Sequence, residues 1–159
     1  MKQSQASLLN HLEAWVRTEI AQQEKLAELI DNQIAAIQNA SSEEFEQCTL
    51  AVDQALNATP ERHAQRDRIL TGFERLWDVP ASAMTLRSIA ARVGQEGERL
   101  LALRDELRER SAVVLKQGRK AQALFNLHRS LFREVIETLL TDENGSPFDQ
   151  EGALVDASA

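Results

Sequence analysis

Residues 98–140 read ERLLALRDELRERSAVVLKQGRKAQALFNLHRSLFREVIETLL. Apolar side chains recur there at alternating steps of three and four: Leu100, Leu103, Leu107, Val114, Ala121, Leu124, Leu131 and Val135. That is a heptad frame, and it predicts one long helix from about Glu98 to Leu140 that packs against partner helices. At about 1.5 Å per residue such a helix is roughly 65 Å long. A core of this chain's size does not surround a rod of that length. The expected fold is therefore all-α: an elongated, antiparallel, coiled-coil-like helical bundle with a very long C-terminal helix.

The second half of that stretch is richer in apolar residues than one seam requires. Leu124, Phe125, Leu127, Leu131, Phe132, Val135, Ile136, Leu139 and Leu140 cover about half the circumference at about 100° per residue. An arc so wide either packs against two neighbours or holds a surface in reserve for a partner.

Composition agrees with helix. The 159 residues suit one domain, and Ala, Leu, Glu, Gln and Arg, all strong helix formers, dominate. Three prolines and six glycines leave little of the punctuation an all-β chain needs. The net charge of −7 gives no electrostatic reason to seek nucleic acid or an anionic membrane. The cluster Lys116, Arg119, Lys120 reads as a solvated helix face. One cysteine, Cys48, excludes an internal disulfide framework. The opening MKQSQASLLNHLEAW has no uninterrupted apolar segment, and no run has the length of a membrane span, so a cytoplasmic location is expected.

Upstream, a first helix is expected from about Ser4 to Gln38. Leu9, Leu12, Val16, Leu26, Ile30 and Ile37 form its stripe, with Trp15, Ile20, Leu29 and Ile34 beside it and Glu19 and Gln23 on the seam. A polar seam residue either faces water or fixes register. Asn39-Ala40-Ser41-Ser42 is a turn, and Ser41 with Glu44 has the spacing of a capping box. Phe45, Thr49, Val52 and Leu56 follow at helical spacing. At Thr59-Pro60-Glu61 the helix either breaks or kinks, with Thr59 as cap and Pro60 in the first turn. Ile69, Leu70, Phe73, Leu76 and Trp77 close this second arm. After the loop Asp78–Ser82, a short amphipathic helix is expected, capped by Thr85 or Ser82, with Leu86, Ile89, Ala90 and Val93 inward. Gly94 and Gly97 separate it from the last helix. Gly118 is read as a point of close approach by a neighbouring backbone, with a hinge as the alternative.

The bundle is expected to occupy residues 1–141, followed by an acidic tail over 142–159. That tail holds Asp142, Glu143, Asp149, Glu151 and Asp156 and no Lys or Arg.

No catalytic constellation stands out, and the chain is not expected to be an enzyme. His11, His63 and His128 are preceded at three residues by Leu8, Pro60 and Phe125, so the Glu-x-x-His pairs of a di-iron bundle are missing. No metal or other cofactor is expected. Cys48 reads as a small core residue, and there is no Gly-rich phosphate loop or nucleophile elbow. His128 raises a phosphotransfer bundle as an alternative. It falls on the seam, however, followed by Arg129-Ser130-Leu131-Phe132 rather than Lys and Gly, and is expected to be buried or half-buried. What remains is a binding protein.

Three features together resemble the FlgN family of flagellar export chaperones. They are the pair of long N-terminal helical arms, the short amphipathic helix after Pro80-Ala81-Ser82, and a very long last helix rich in Leu and Phe near its end. The polar tail adds an aromatic-Asp-x-x-Gly element, Phe148-Asp149-Gln150-Glu151-Gly152, with Phe148 where members usually carry Tyr. Members often carry Asn-x-x-Asn in the last helix, where this chain reads Lys116-Gln117-Gly118-Arg119-Lys120-Ala121. The resemblance implies a cytoplasmic type III export chaperone. Its partners would be hook–filament junction (hook-associated) subunits and the export apparatus, and it would need no nucleotide. A helix in a groove is gripped at i, i+3, i+4 and i+7, so the nine apolar residues from Leu124 to Leu140 are the expected partner-binding face. The alternative is a self-associating adaptor that uses the same arc to form a homo-oligomer.

Overall fold

The structure, a computed structural model, describes residues 2–144, with side chains described for 4–140. The chain is all-α. Helices α1 (Lys2–Gln38), α2 (Ser42–Asn57), α3 (Thr59–Trp77), α4 (Leu86–Val93) and α5 (Glu98–Asn144) follow one another, with 3-10 turns at Ala81–Ala83 and Gly94–Gly97. The last helix runs four residues past its expected end at Leu140. The chain forms two units that meet inside α5, one spanning Met1–Ala121 and the other starting at Gln122. Most of the acidic tail, including the Phe148–Gly152 element, lies outside the described residues.

In the first unit α1 doubles back onto α2 through a tight turn. The N–H of Ser41 donates to the Ala36 carbonyl at 3.1 Å and the N–H of Ala40 to that of Ile37 at 3.2 Å, with Ala40 left-handed at φ 53°. This is a Schellman ending, with alanine in the place that glycine usually fills. Its geometry also corrects the expected capping box. The Ser41 hydroxyl accepts from the Glu44 N–H at 3.4 Å, but Ser41's own N–H is already bonded to Ala36 and is not available to the Glu44 carboxylate.

Helices α2 and α3 are joined through one residue. Ala58 keeps right-handed helical torsions (φ −80°, ψ −7°) and Pro60 sits in the first turn of α3, so the arm kinks and does not loop. Thr59 is not the cap. The cap position is Ala58, without a side-chain bond, and the Thr59 hydroxyl accepts from Arg62 Nη2 at 3.1 Å.

The arm runs antiparallel to α1. Gln33 of α1 donates to the Thr49 hydroxyl at 2.9 Å. Further along, the Trp15 indole donates to the Arg62 carbonyl at 2.9 Å, and Leu8 lies against Gly72. Glu19 is buried and accepts from Arg62 Nε at 2.6 Å. Of the two fates open to a polar seam residue, Glu19 takes the register-setting one.

The core gathers Leu9, Leu12, Trp15, Val16 and Ile20 of α1, Ile69 and Phe73 of α3, Ile89 and Ala90 of α4, and Leu100 and Leu103 of α5. Phe73 and Trp77 stack tilted, with ring centroids 4.6 Å apart, and the Arg92 guanidinium covers Trp77 at 5.2 Å. By contrast α2 buries no residue fully. Leu56 is exposed, and Cys48 is half-buried and not the core residue expected.

Helix α4 begins with a complete capping box. The Thr85 hydroxyl accepts from the Ser88 N–H at 3.0 Å, and the Ser88 hydroxyl accepts from the Thr85 N–H at 2.9 Å. It ends at left-handed Gly94. Gly97 is buried where α5 starts, and a Cβ there would collide with the Ala90 backbone. The close approach expected at Gly118 belongs to Gly97; a Cβ at Gly118 would meet nothing within 4 Å.

From Gly97 onward α5 runs parallel to α1 in constant register. Arg99 faces Glu13 (3.8 Å), Arg110 faces Glu24 (3.3 Å), and Gln117 donates to Asp31 (2.8 Å). All three links share an offset of 86 residues and are spaced by about three and two helical turns. The first unit is thus an up–down–up bundle in which each arm is antiparallel to the one before it.

Candidate functional site

Burial along α5 falls off with position. Leu100, Leu103 and Ala121 are buried, Leu107 and Val114 half-buried. Leu124 is half-buried, and every described residue of α5 after it is exposed.

Eight of the nine residues expected to bind a partner are therefore exposed: Phe125, Leu127, Leu131, Phe132, Val135, Ile136, Leu139 and Leu140. Phe132 shows most, at 69%. All lie on one helical segment, and at about 100° per residue they share a single broad face. Scattered exposed leucines are ordinary in soluble proteins; a contiguous helical band of this kind is not.

His128 lies in the middle of this band and is exposed, contrary to the expected burial. A seam position is buried only where a neighbouring helix stands alongside. The edges of the band were not singled out by the periodicity of apolar residues. Arg129 and Arg133, with Glu137 beyond them, flank it on the side of Ile136 and Leu140, and Glu134 flanks it beside Leu127. The signal that would have found them is the charge at each margin of the arc, not its hydrophobic content.

Elsewhere in the first unit, a cleft of about 540 Å³ opens between α1, α3, the Ala81–Met84 segment and α5. Its walls are largely apolar, from Leu12, Trp15, Leu70, Met84, Leu86 and Leu107, and the ion pair Arg66–Asp67 (2.9 Å) stands at its lining. It contains no histidine, cysteine or paired carboxylates for acid–base or nucleophilic work. Among the described residues, no three of His, Cys, Asp and Glu come together as a metal site, and no helix is long and apolar enough to cross a membrane.

The fold and this face define a helical bundle whose last helix presents a long apolar band. Compared with models of protein families, with curated proteins and with solved structures, the chain matches none.

Proposed function

We propose that the chain is a cytoplasmic export chaperone of the flagellar type III kind. It holds the helical terminal segment of a hook-associated subunit before secretion and delivers it to the export apparatus. The observation that carries this reading is the exposed apolar band between Phe125 and Leu140.

Magnitudes support a reversible role. Burying what each of the eight side chains exposes is worth about 1 kcal/mol, or about 8 kcal/mol gross for this face. The partner's own apolar row adds a comparable amount. Ordering a disordered segment takes back about 2–5 kcal/mol, and loss of overall motion takes back more. These costs offset much of the gross gain, so binding of this kind is reversible.

Calorimetry with C-terminal peptides of hook-associated subunits is the test. Binding that disappears with Leu131→Asp is expected; no binding at about tens of micromolar to the folded protein rejects the reading.

The heptad spacing of the same band supports a second reading, a self-associating adaptor. Sedimentation over a concentration series separates the two, because a tight oligomer covering Phe132 leaves no face for a client. The exposure of His128 supplies one requirement of a phosphotransfer bundle, but its sequence neighbours supply no other. A His128→Gln variant that loses label from a kinase partner would revive that third reading.

A further inference from the structure

The buried residues of the first unit fall into two zones. One is the core already described, which takes in Leu9 to Ile20 on α1 and Leu100 and Leu103 on α5. The other lies further along and consists of Ile30, Ile34, Ala36 and Ile37 of α1 and Ala121 of α5. No residue between Ile20 and Ile30, or between Leu103 and Ala121, is buried. Polar contacts occupy the gap: Glu19 with Arg62 at 2.6 Å and Glu24 with Arg110 at 3.3 Å.

Helix α2 covers the second zone without being enclosed by it. At about 100° per residue, Ile30, Ile34 and Ile37 form one row on α1, with Gln33 on one side of it and Asp31 on the other. Gln33 reaches Thr49 of α2 at 2.9 Å, and Asp31 reaches Gln117 of α5 at 2.8 Å. The row therefore lies between α2 and α5. Yet α2 buries no residue of its own, and its Leu50 and Leu56 face water. Its two joints are slight. Before it stands Ala40, with a left-handed φ of 53°. After it, Ala58 caps α3 with no side-chain bond, and Pro60 has no N–H to give. The bond across that joint, from the Arg62 N–H to the Ala58 carbonyl, is 3.4 Å long.

We propose that α2 is a strap that lifts from the bundle as one unit, while α1, α3, α4 and the part of α5 in the same unit stay folded. Segments that bury few apolar groups are the ones that open below the global unfolding limit. The Asp31–Gln117 bond holds α1 to α5 when α2 leaves. The open state bares Ile30, Ile34 and Ile37, a row at the i, i+4 and i+7 spacing by which helices are gripped. The closed state withholds that row, so α2 makes it a conditional surface.

Native-state hydrogen exchange of the full chain, in a series of low urea concentrations, is the test. Amides of residues 47–56 are expected to exchange through one shared opening, about a hundredfold faster than those of 12–20 and with a shallower urea dependence. Ile89→Val, a mild truncation in the core, is expected to speed exchange of 12–20 about fivefold and to leave 47–56 unchanged, because Ile89 stays packed whether the strap is closed or open. A common urea slope, with equal acceleration of both sets by Ile89→Val, overturns the inference, since α2 then leaves only when the whole bundle unfolds. Amide-by-amide exchange of 47–56 with no urea dependence also overturns it, since α2 then frays and does not lift.

Discussion

Arg62 Nε lies 2.6 Å from Glu19 Oε1, and both side chains are largely withdrawn from water, at 14% and 9% exposure. The contact ties α3 to α1 at the level where the Trp15 indole also bonds the Arg62 backbone carbonyl. Removing one member strands the other. Arg62→Ala is expected to destabilise the bundle by about 3 kcal/mol, and the double variant Glu19→Leu, Arg62→Met to recover most of the loss. Urea denaturation of the two single variants and the double variant measures the coupling. Additive losses would mean that the pair contributes nothing as a pair.

Leu12 and Leu100 are wholly buried, whereas Phe132 is 69% exposed. Leu12→Ala or Leu100→Ala should cost roughly 2–5 kcal/mol. Phe132→Ala should change stability by less than about 0.5 kcal/mol, as exposed sites do, while weakening capture of a client helix. Equal losses of stability at all three positions would make the band ordinary core.

Two glycines on either side of the start of α5 respond oppositely to one methyl group. At Gly97 the new Cβ overlaps the Ala90 backbone, which has no side chain to move aside, and Gly97→Ala should cost about 1–3 kcal/mol. At Gly118 the Cβ enters open space inside a continuous helix, and Gly118→Ala should stabilise by about 0.5–1 kcal/mol. Thermal melts of the two variants shift in opposite directions if this is right.

Ala40 holds a left-handed torsion at the end of α1 with its Schellman bonds intact. Glycine takes that torsion without the Cβ penalty, so Ala40→Gly is expected to raise stability by about 0.5–1 kcal/mol. Unchanged or lower stability in the same denaturation assay would show the turn to be unstrained. A complementary loss of about 1 kcal/mol is expected for Thr85→Ala, which removes the side-chain half of the α4 capping box.

Periodicity made the helices legible, along with the burial of Leu12, Phe73, Ile89 and Leu100, because a stripe repeated over several turns has one physical use. It did not reveal partners. Arg62 stands in the run Glu61-Arg62-His63-Ala64-Gln65-Arg66-Asp67-Arg68, where nothing in residue type distinguishes it from its charged neighbours; only the fold brings it to Glu19. Gly97 and Gly118 look alike as letters, and the difference between them is the presence of Ala90. His128 was expected inside because it keeps the heptad frame. The frame records which face of α5 seeks cover, but not how far along the helix cover is found. The eight exposed residues of the band were legible for the same reason, whereas the charges at its margins emerge only when the arc is viewed as a surface with edges.

Helix α1 acts as a ruler for α5. Within the first unit the register is held at an offset of 86, so each turn of α1 answers one turn of α5, from Glu13 with Arg99 to Asp31 with Gln117. Shortening α1 would bare Val114 and Ala121. The length of the covered seam on α5 is thus encoded in another segment of the chain, and it can be reset by whole turns without altering one residue of α5.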